Sequence, residues 1–159
     1  MVDNRMFKVK VIPTKEALPG LSSRVSYFDS PSYKELFQGL NAEIILIQEF
    51  GSYQGDYLYI FRAEEGRYYG FLNFSYGSCS ACDSLLGCTS YEDLDTLRVS
   101  LINNIEWLSP MKLINYLKQK DFPATIAGCE LHQSEKFIAD AMKIILTEEE
   151  IKTLDVLDC

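Results

Sequence analysis

An α+β fold is expected for this chain: an antiparallel β-meander of about four strands packed against C-terminal helices. Three observations predict it. Strand-like runs fill the first half and helix-like periodicity the second, the order expected when helices cover one face of a sheet. Apolar runs at 43–50, 56–63 and 67–76 are joined by links too short for a parallel crossover, so they must pair antiparallel. No repeat, low-complexity linker or domain boundary interrupts residues 1–159, which suit one domain.

Phe7, Val9 and Val11 alternate with Lys8 and Lys10, the period-two pattern of a half-buried strand, which Pro13 ends. Residues 14–30 carry no clear signal. A short helix is expected over 31–40, where Ser32 and Glu35 have capping-box spacing and Pro31 suits a first turn. Ile44, Ile45, Leu46 and Ile47 give a run too short and too β-branched for an independent helix, and 43–50 reads as a buried strand. Gly51 to Gly55 forms a turn into the strand 56–63. Glu64-Glu65-Gly66 is a tight connection with Gly available for positive φ, and 67–76 returns.

Beyond residue 89 the period changes. Ser90 and Asp93 resemble an N-cap with an acidic third position, and Leu94, Leu97, Leu101, Ile105 and Leu108 form one apolar stripe. Ser109-Pro110 stops that helix and starts another, with Leu113, Ile114 and Leu117 inward. A helix at 134–146 carries Ile138, Ala141, Met142 and Ile145. Thr147 and Glu150 have the spacing of a new capping box for a short terminal helix to 157.

Fifteen Lys and Arg against 23 Asp and Glu leave a net charge of −8. Such a surface repels phosphate backbones, because nucleic-acid affinity comes from basic residues that release counterions. Direct nucleic-acid binding is therefore not expected. Basic partners, including nucleic-acid-binding proteins, are favoured. No run approaches the roughly 18 apolar residues of a membrane span, and residues 1–10 lack the apolar core of a secretion signal, so a cytoplasmic location is expected.

Five cysteines in such a setting argue against a disulfide framework. Cys79 and Cys82 are spaced C-x2-C, Cys129 and His132 C-x2-H, and together they match the ligand number and type of a tetrahedral structural zinc site. Cys88 competes as a further ligand. A second reading makes Cys79 and Cys82 a thiol redox pair or switch: Ser80 caps a short helix through Leu86, and Cys82 sits in its first turn, where the helix dipole favours thiolate. Asp83 beside it opposes that charge. A third reading makes these cysteines small buried residues of a packed turn.

His132 is the only histidine, and the chain has no G-x-S-x-G, Walker or G-x-G-x-x-G motif. Enzyme activity therefore lacks local support. Tyr53, Tyr57, Tyr59 and Tyr68 crowd the hairpins together with Tyr69 and Tyr76. Tyrosine combines large contact area with a polar tip, so Tyr53, Tyr57, Tyr59 and Tyr68, with Trp107, form a candidate binding set. The alternative for each is ordinary strand propensity. Trp107 projects away from the Leu94–Leu101 stripe and is expected to pack on a neighbouring helix or to stand exposed as an anchor.

The Gln54-Gly55-Asp56 turn, the loop Tyr76-Gly77-Ser78-Cys79-Ser80-Ala81-Cys82-Asp83 and the segment from Tyr91 to Leu108 resemble those of small phage and bacterial proteins of unassigned activity, over roughly residues 50–118. The resemblance implies a mobile-element origin. Small phage proteins often bind and block a host or defence protein, so it also implies a non-enzymatic protein-binding module, an inhibitor of the anti-CRISPR kind.

Overall fold

The computed structural model describes residues 7–20, 31–51, 54–77 and 83–157. Its centre is a four-stranded antiparallel sheet in the order β1-β2-β3-β4, made of β1 (Glu43–Gly51), β2 (Gly55–Ala63), β3 (Tyr68–Tyr76) and β4 (Glu106–Leu108). The meander is as expected. Its continuous pairing runs from Gly55↔Tyr76 to Ala63↔Tyr68 between β2 and β3. The link between them places Glu64, Glu65 and Gly66 at positive φ, so the left-handed turn uses two ordinary residues before the glycine that favours it.

The fourth strand is not the expected one. Residues 7–11 contribute only an isolated bridge, Val11↔Leu40. Phe7 is buried, but Val9 and Val11 are 38% and 37% exposed; alternation without a ladder partner does not make a strand. β4 pairs instead with β3, setting Trp107 opposite Gly70. It comes from the C-terminal end of the expected 90–108 helix, because α2 (Tyr91–Asn103) stops at Asn103. Its start is as expected, with Ser90 Oγ accepting from the Asp93 N–H. Residues 34–37 form a 3-10 turn rather than a longer helix. The Ser32–Glu35 capping pair is present, Ser32 N–H donating to Glu35 and Glu35 N–H to Ser32 Oγ.

The remaining helices are α1 (Thr14–Ala17), α3 (Pro110–Lys118), α4 (Phe122–Thr125) and α5 (Leu131–Leu157). α5 is one continuous 27-residue helix, not two. No Pro or Gly interrupts 131–157, so Thr147 and Glu150 propagate a helix already nucleated rather than cap a new one.

Helices cover both faces of the sheet, where one was expected. On one face Tyr59, Phe61, Tyr68 and Leu72 pack against Leu36, Phe37, Leu94, Leu101, Ile102 and Trp107. On the other, Leu58, Ile60, Tyr69 and Phe71 pack against Leu113, Ile114, Leu117, Phe137, Ala141 and Ile145. Successive residues of β2 and β3 thus enter opposite layers, as the pleat requires. Each fully buried Leu, Ile or Phe among them contributes about 1.5–3 kcal/mol of burial. β4 lies at the sheet edge between α2 and α3 in sequence, and the chain changes sides there. No helix among the described residues is long and apolar enough to cross a membrane.

Candidate functional site

Of the candidate binding set, Tyr59, Tyr68 and Trp107 go into the core rather than onto a binding face. Tyr59, Tyr68 and Trp107 are 2%, 8% and 4% exposed, and Tyr57 is half-buried; Tyr53 lies outside the described residues. Tyr57 packs edge-on to Tyr59 at 5.7 Å and lies 4.7 Å from Tyr76, and Tyr33 lies 5.0 Å from Phe74. Such tilted contacts suit aromatic quadrupoles. Burial pushes the Tyr59 phenol up to about 12, with help from the Glu49 charge. Tyr57 and Tyr76 are also raised, by burial and then by the adjacent Glu49 carboxylate. Trp107 packs against Phe7 at 4.5 Å and Phe61 at 6.0 Å. It sits above Gly70, where any Cβ would come within 2.8 Å of Cζ3 of the indole. Strand propensity and packing, not surface display, account for Tyr59, Tyr68 and Trp107.

Cys79 and Cys82 lie outside the described residues, as does Ser80. The next described residue is Asp83, a 5% exposed carboxylate. Asp83 accepts from the Tyr33 hydroxyl at 2.7 Å and from the N–H groups of Gly77, Leu85 and Leu86 at 2.8, 2.9 and 3.1 Å. Cys88 is buried and its Sγ donates to Ser84 O at 3.3 Å; burial, then Asp93 and Asp83, push its thiol up. Cys129 is buried in the same apolar cluster as Ile126 and Phe137, and burial raises its thiol too. His132 lies at the start of α5 with its side chain 75% exposed, its Nδ1 3.2 Å from Glu130. Cys129 and His132 thus enter different surroundings, one apolar and one aqueous. Among the described residues no group of three or more His, Cys, Asp or Glu is placed to hold a metal ion.

Two features escaped the sequence reading. Arg98 is 1% exposed inside the α2 layer. Its guanidinium donates to the carbonyls of Leu36, Ile12 and Gln38 at 2.8, 2.9 and 2.6 Å and to Thr14 Oγ1 at 3.0 Å. One side chain therefore ties α1 and the 3-10 turn to α2. The visible signal was its spacing, since Arg98 falls between Leu94 and Leu101 on the buried stripe.

The second is a groove of about 560 Å³ between β1 and α5. Leu46, Ile144 and Ile151 supply its apolar surface, and Asp140, Lys143 and Glu148 its polar rim. β1 was expected to be a buried strand. It lies at the sheet edge instead, and Ile44 to Ile47 are only half-buried. A bulge between Ile44 and Leu46 turns Ile45 and Leu46 toward the same helical layer. α5 packs with Phe137, Ala141 and Ile145 inward, leaving Asp140, Ile144, Thr147 and Ile151 as a second face at three- and four-residue spacing. Arg62 of β2 holds this half of α5 in place: its Nε lies 2.8 and 2.9 Å from the two Glu148 oxygens, and its Nη1 2.9 Å from Glu43. Such a fork fixes geometry as well as charge. The groove is concave, mostly apolar and rimmed by a few charges, the character of a binding site. No protein-family model, curated protein or solved structure matches this chain.

Proposed function

We propose that this protein is a non-enzymatic binding module that docks on a basic protein of a host cell or of its defence machinery, in the manner of a phage-encoded inhibitor. The observation that carries this reading is the apolar groove beside β1 in a chain of net charge −8. An apolar centre with a charged rim suits a protein partner. The excess of acid steers basic partners and repels nucleic acid. The host-directed role rests on the sequence resemblance. Among candidate partners, nucleic-acid-binding proteins have the matching charge.

The test is binding of the purified protein to a panel of basic nucleic-acid-binding proteins and to acidic proteins of similar size, at about 0.1 M and about 1 M salt. Micromolar association with a basic member, weakened by salt, is expected. Absence of association across the panel, or equal binding of acidic and basic members, contradicts the reading.

A further inference from the structure

β1 pairs with β2 along one side, and among the described residues no strand pairs with the other. The outer side of an edge strand carries a row of backbone N–H and C=O groups open to pairing with a further strand. Natural edges are blunted with charged side chains, Lys above all, with Pro and with bulges; β1 has Glu43, Glu49 and one bulge but no Lys or Pro. Its bulge lies near the N-terminal end and leaves Leu46–Gly51 in unbroken register with β2. The α5 groove meets this segment at its first residue, Leu46.

We infer that β1 accepts an added strand: an extended segment of a basic protein, alternating aliphatic residues with Lys or Arg, pairs with Leu46–Gly51 and inserts its aliphatic side chains into the α5 groove. This rests on the protein-binding reading and names its mode. Main-chain bonds give such pairing its affinity, and pockets for alternate side chains its specificity. Alternate residues of the incoming strand would face opposite sides. One set meets Leu46, Ile144 and Ile151. The other lies on the side of Ile47 and Glu49.

Charge selects the occupant. Both charged residues of β1, Glu43 and Glu49, are acidic. At the groove Asp140 is paired with Lys136, and Glu43 and Glu148 with Arg62. The preference for a basic segment therefore rests on Glu49 of the edge strand and on the chain's net charge of −8, against Lys143 at the rim. A second copy of this chain would set two −8 bodies and their β1 glutamates together, which opposes self-pairing at low salt.

The probe is an end-blocked peptide of about ten residues alternating Lys with Ile or Val, titrated into the full chain with backbone amide shifts as readout. Two further peptides carry N-methyl groups on alternate residues, one for each edge, so that only one edge of each can donate. Expected shifts concentrate at 46–51 and on the 140–151 face of α5. One N-methylated peptide should bind within about twofold of the parent and the other at least about tenfold more weakly. Ile151→Lys, at a position 54% exposed, should weaken the parent peptide about tenfold, whereas Leu131→Lys, 65% exposed on the same helix, should not. Shifts elsewhere, equal binding of both methylated peptides, no peptide binding at millimolar concentration, or a dimer formed through β1 each overturn strand addition. Capture of a basic protein that leaves the 46–51 amides unmoved overturns strand addition but keeps the binding-module reading.

Discussion

Arg98 Nη2 donates to the Gln38 carbonyl oxygen at 2.6 Å from a side chain that is 1% exposed. A charged group at that depth is tolerable only because protein acceptors replace its water. Arg98 finds them in Leu36, Ile12, Gln38 and Thr14, and Thr14 in turn donates to Asp95. Arg98→Met should leave three carbonyls without these donors and destabilise the fold by about 3 kcal/mol or more. Arg98→Lys should recover only part, because an ammonium lacks the planar fork. Denaturant unfolding of the two variants checks this; a loss below about 0.5 kcal/mol in Arg98→Met contradicts it.

Asp83 should matter as an anchor rather than as an acid in chemistry. Asp83→Ala removes the acceptor for one hydroxyl and three backbone N–H groups and should cost on the order of 3 kcal/mol. Asp83→Asn keeps one oxygen but turns a donor toward another donor, so its loss should be intermediate. Tyr33→Phe removes only the hydroxyl partner and should cost about 1 kcal/mol. Thermal denaturation ranks the three. Equal losses would show that the carboxylate does not hold Tyr33, Gly77 and Leu85 together.

Gly70 should tolerate no side chain. A Cβ there would lie 2.6 Å from Ile105 Cγ2 and 2.8 Å from Trp107 Cζ3, and both neighbours are buried. Gly70→Ala should destabilise by about 1–3 kcal/mol through overpacking, with a change in Trp107 fluorescence. A variant as stable as the parent contradicts the close approach of β4 to β3.

Alkaline pH should erode stability through the buried phenols. Tyr59 and Tyr69 are each raised to about 12, chiefly by burial, whereas an unfolded tyrosine ionises near about 10. Above that pH the unfolded chain loses protons before the folded one, so stability falls with rising pH. The contribution is fully present below about pH 10 and is lost as pH climbs toward about 12. Denaturation midpoints across this window should fall, and less steeply in Tyr59→Phe. An unchanged slope in that variant contradicts the assignment.

The meander was legible because β2 and β3 carry strong apolar runs and the intervening Gly66 supplies a turn signal. The end of α2 was not. Ile105 and Leu108 continue the helical spacing by coincidence, while Ile105 and Trp107 alternate into the core as strand residues do. The Asn103-Asn104 pair marked the stop, with Asn104 Nδ2 donating back to Ser100 O. Displacing Trp107 from helix to strand also removed it from the candidate surface. Splitting α5 at Thr147 hid the Asp140–Ile144–Thr147–Ile151 face, because two short helices need not share one. Sheet coverage escaped for another reason: periodicity marks a buried side but not which sheet face buries it, and only β4 shows the chain crossing from one to the other.

Amide hydrogen exchange of β1 in the free protein tests the open edge most directly. Alternate amides within 46–51 should exchange orders of magnitude faster than those of β2, which is paired on both sides, and should slow when the alternating Lys peptide is bound. Uniform protection of 46–51 in the free protein, equal to that of 55–63, would mean the edge is already filled and would contradict its role as a docking strand.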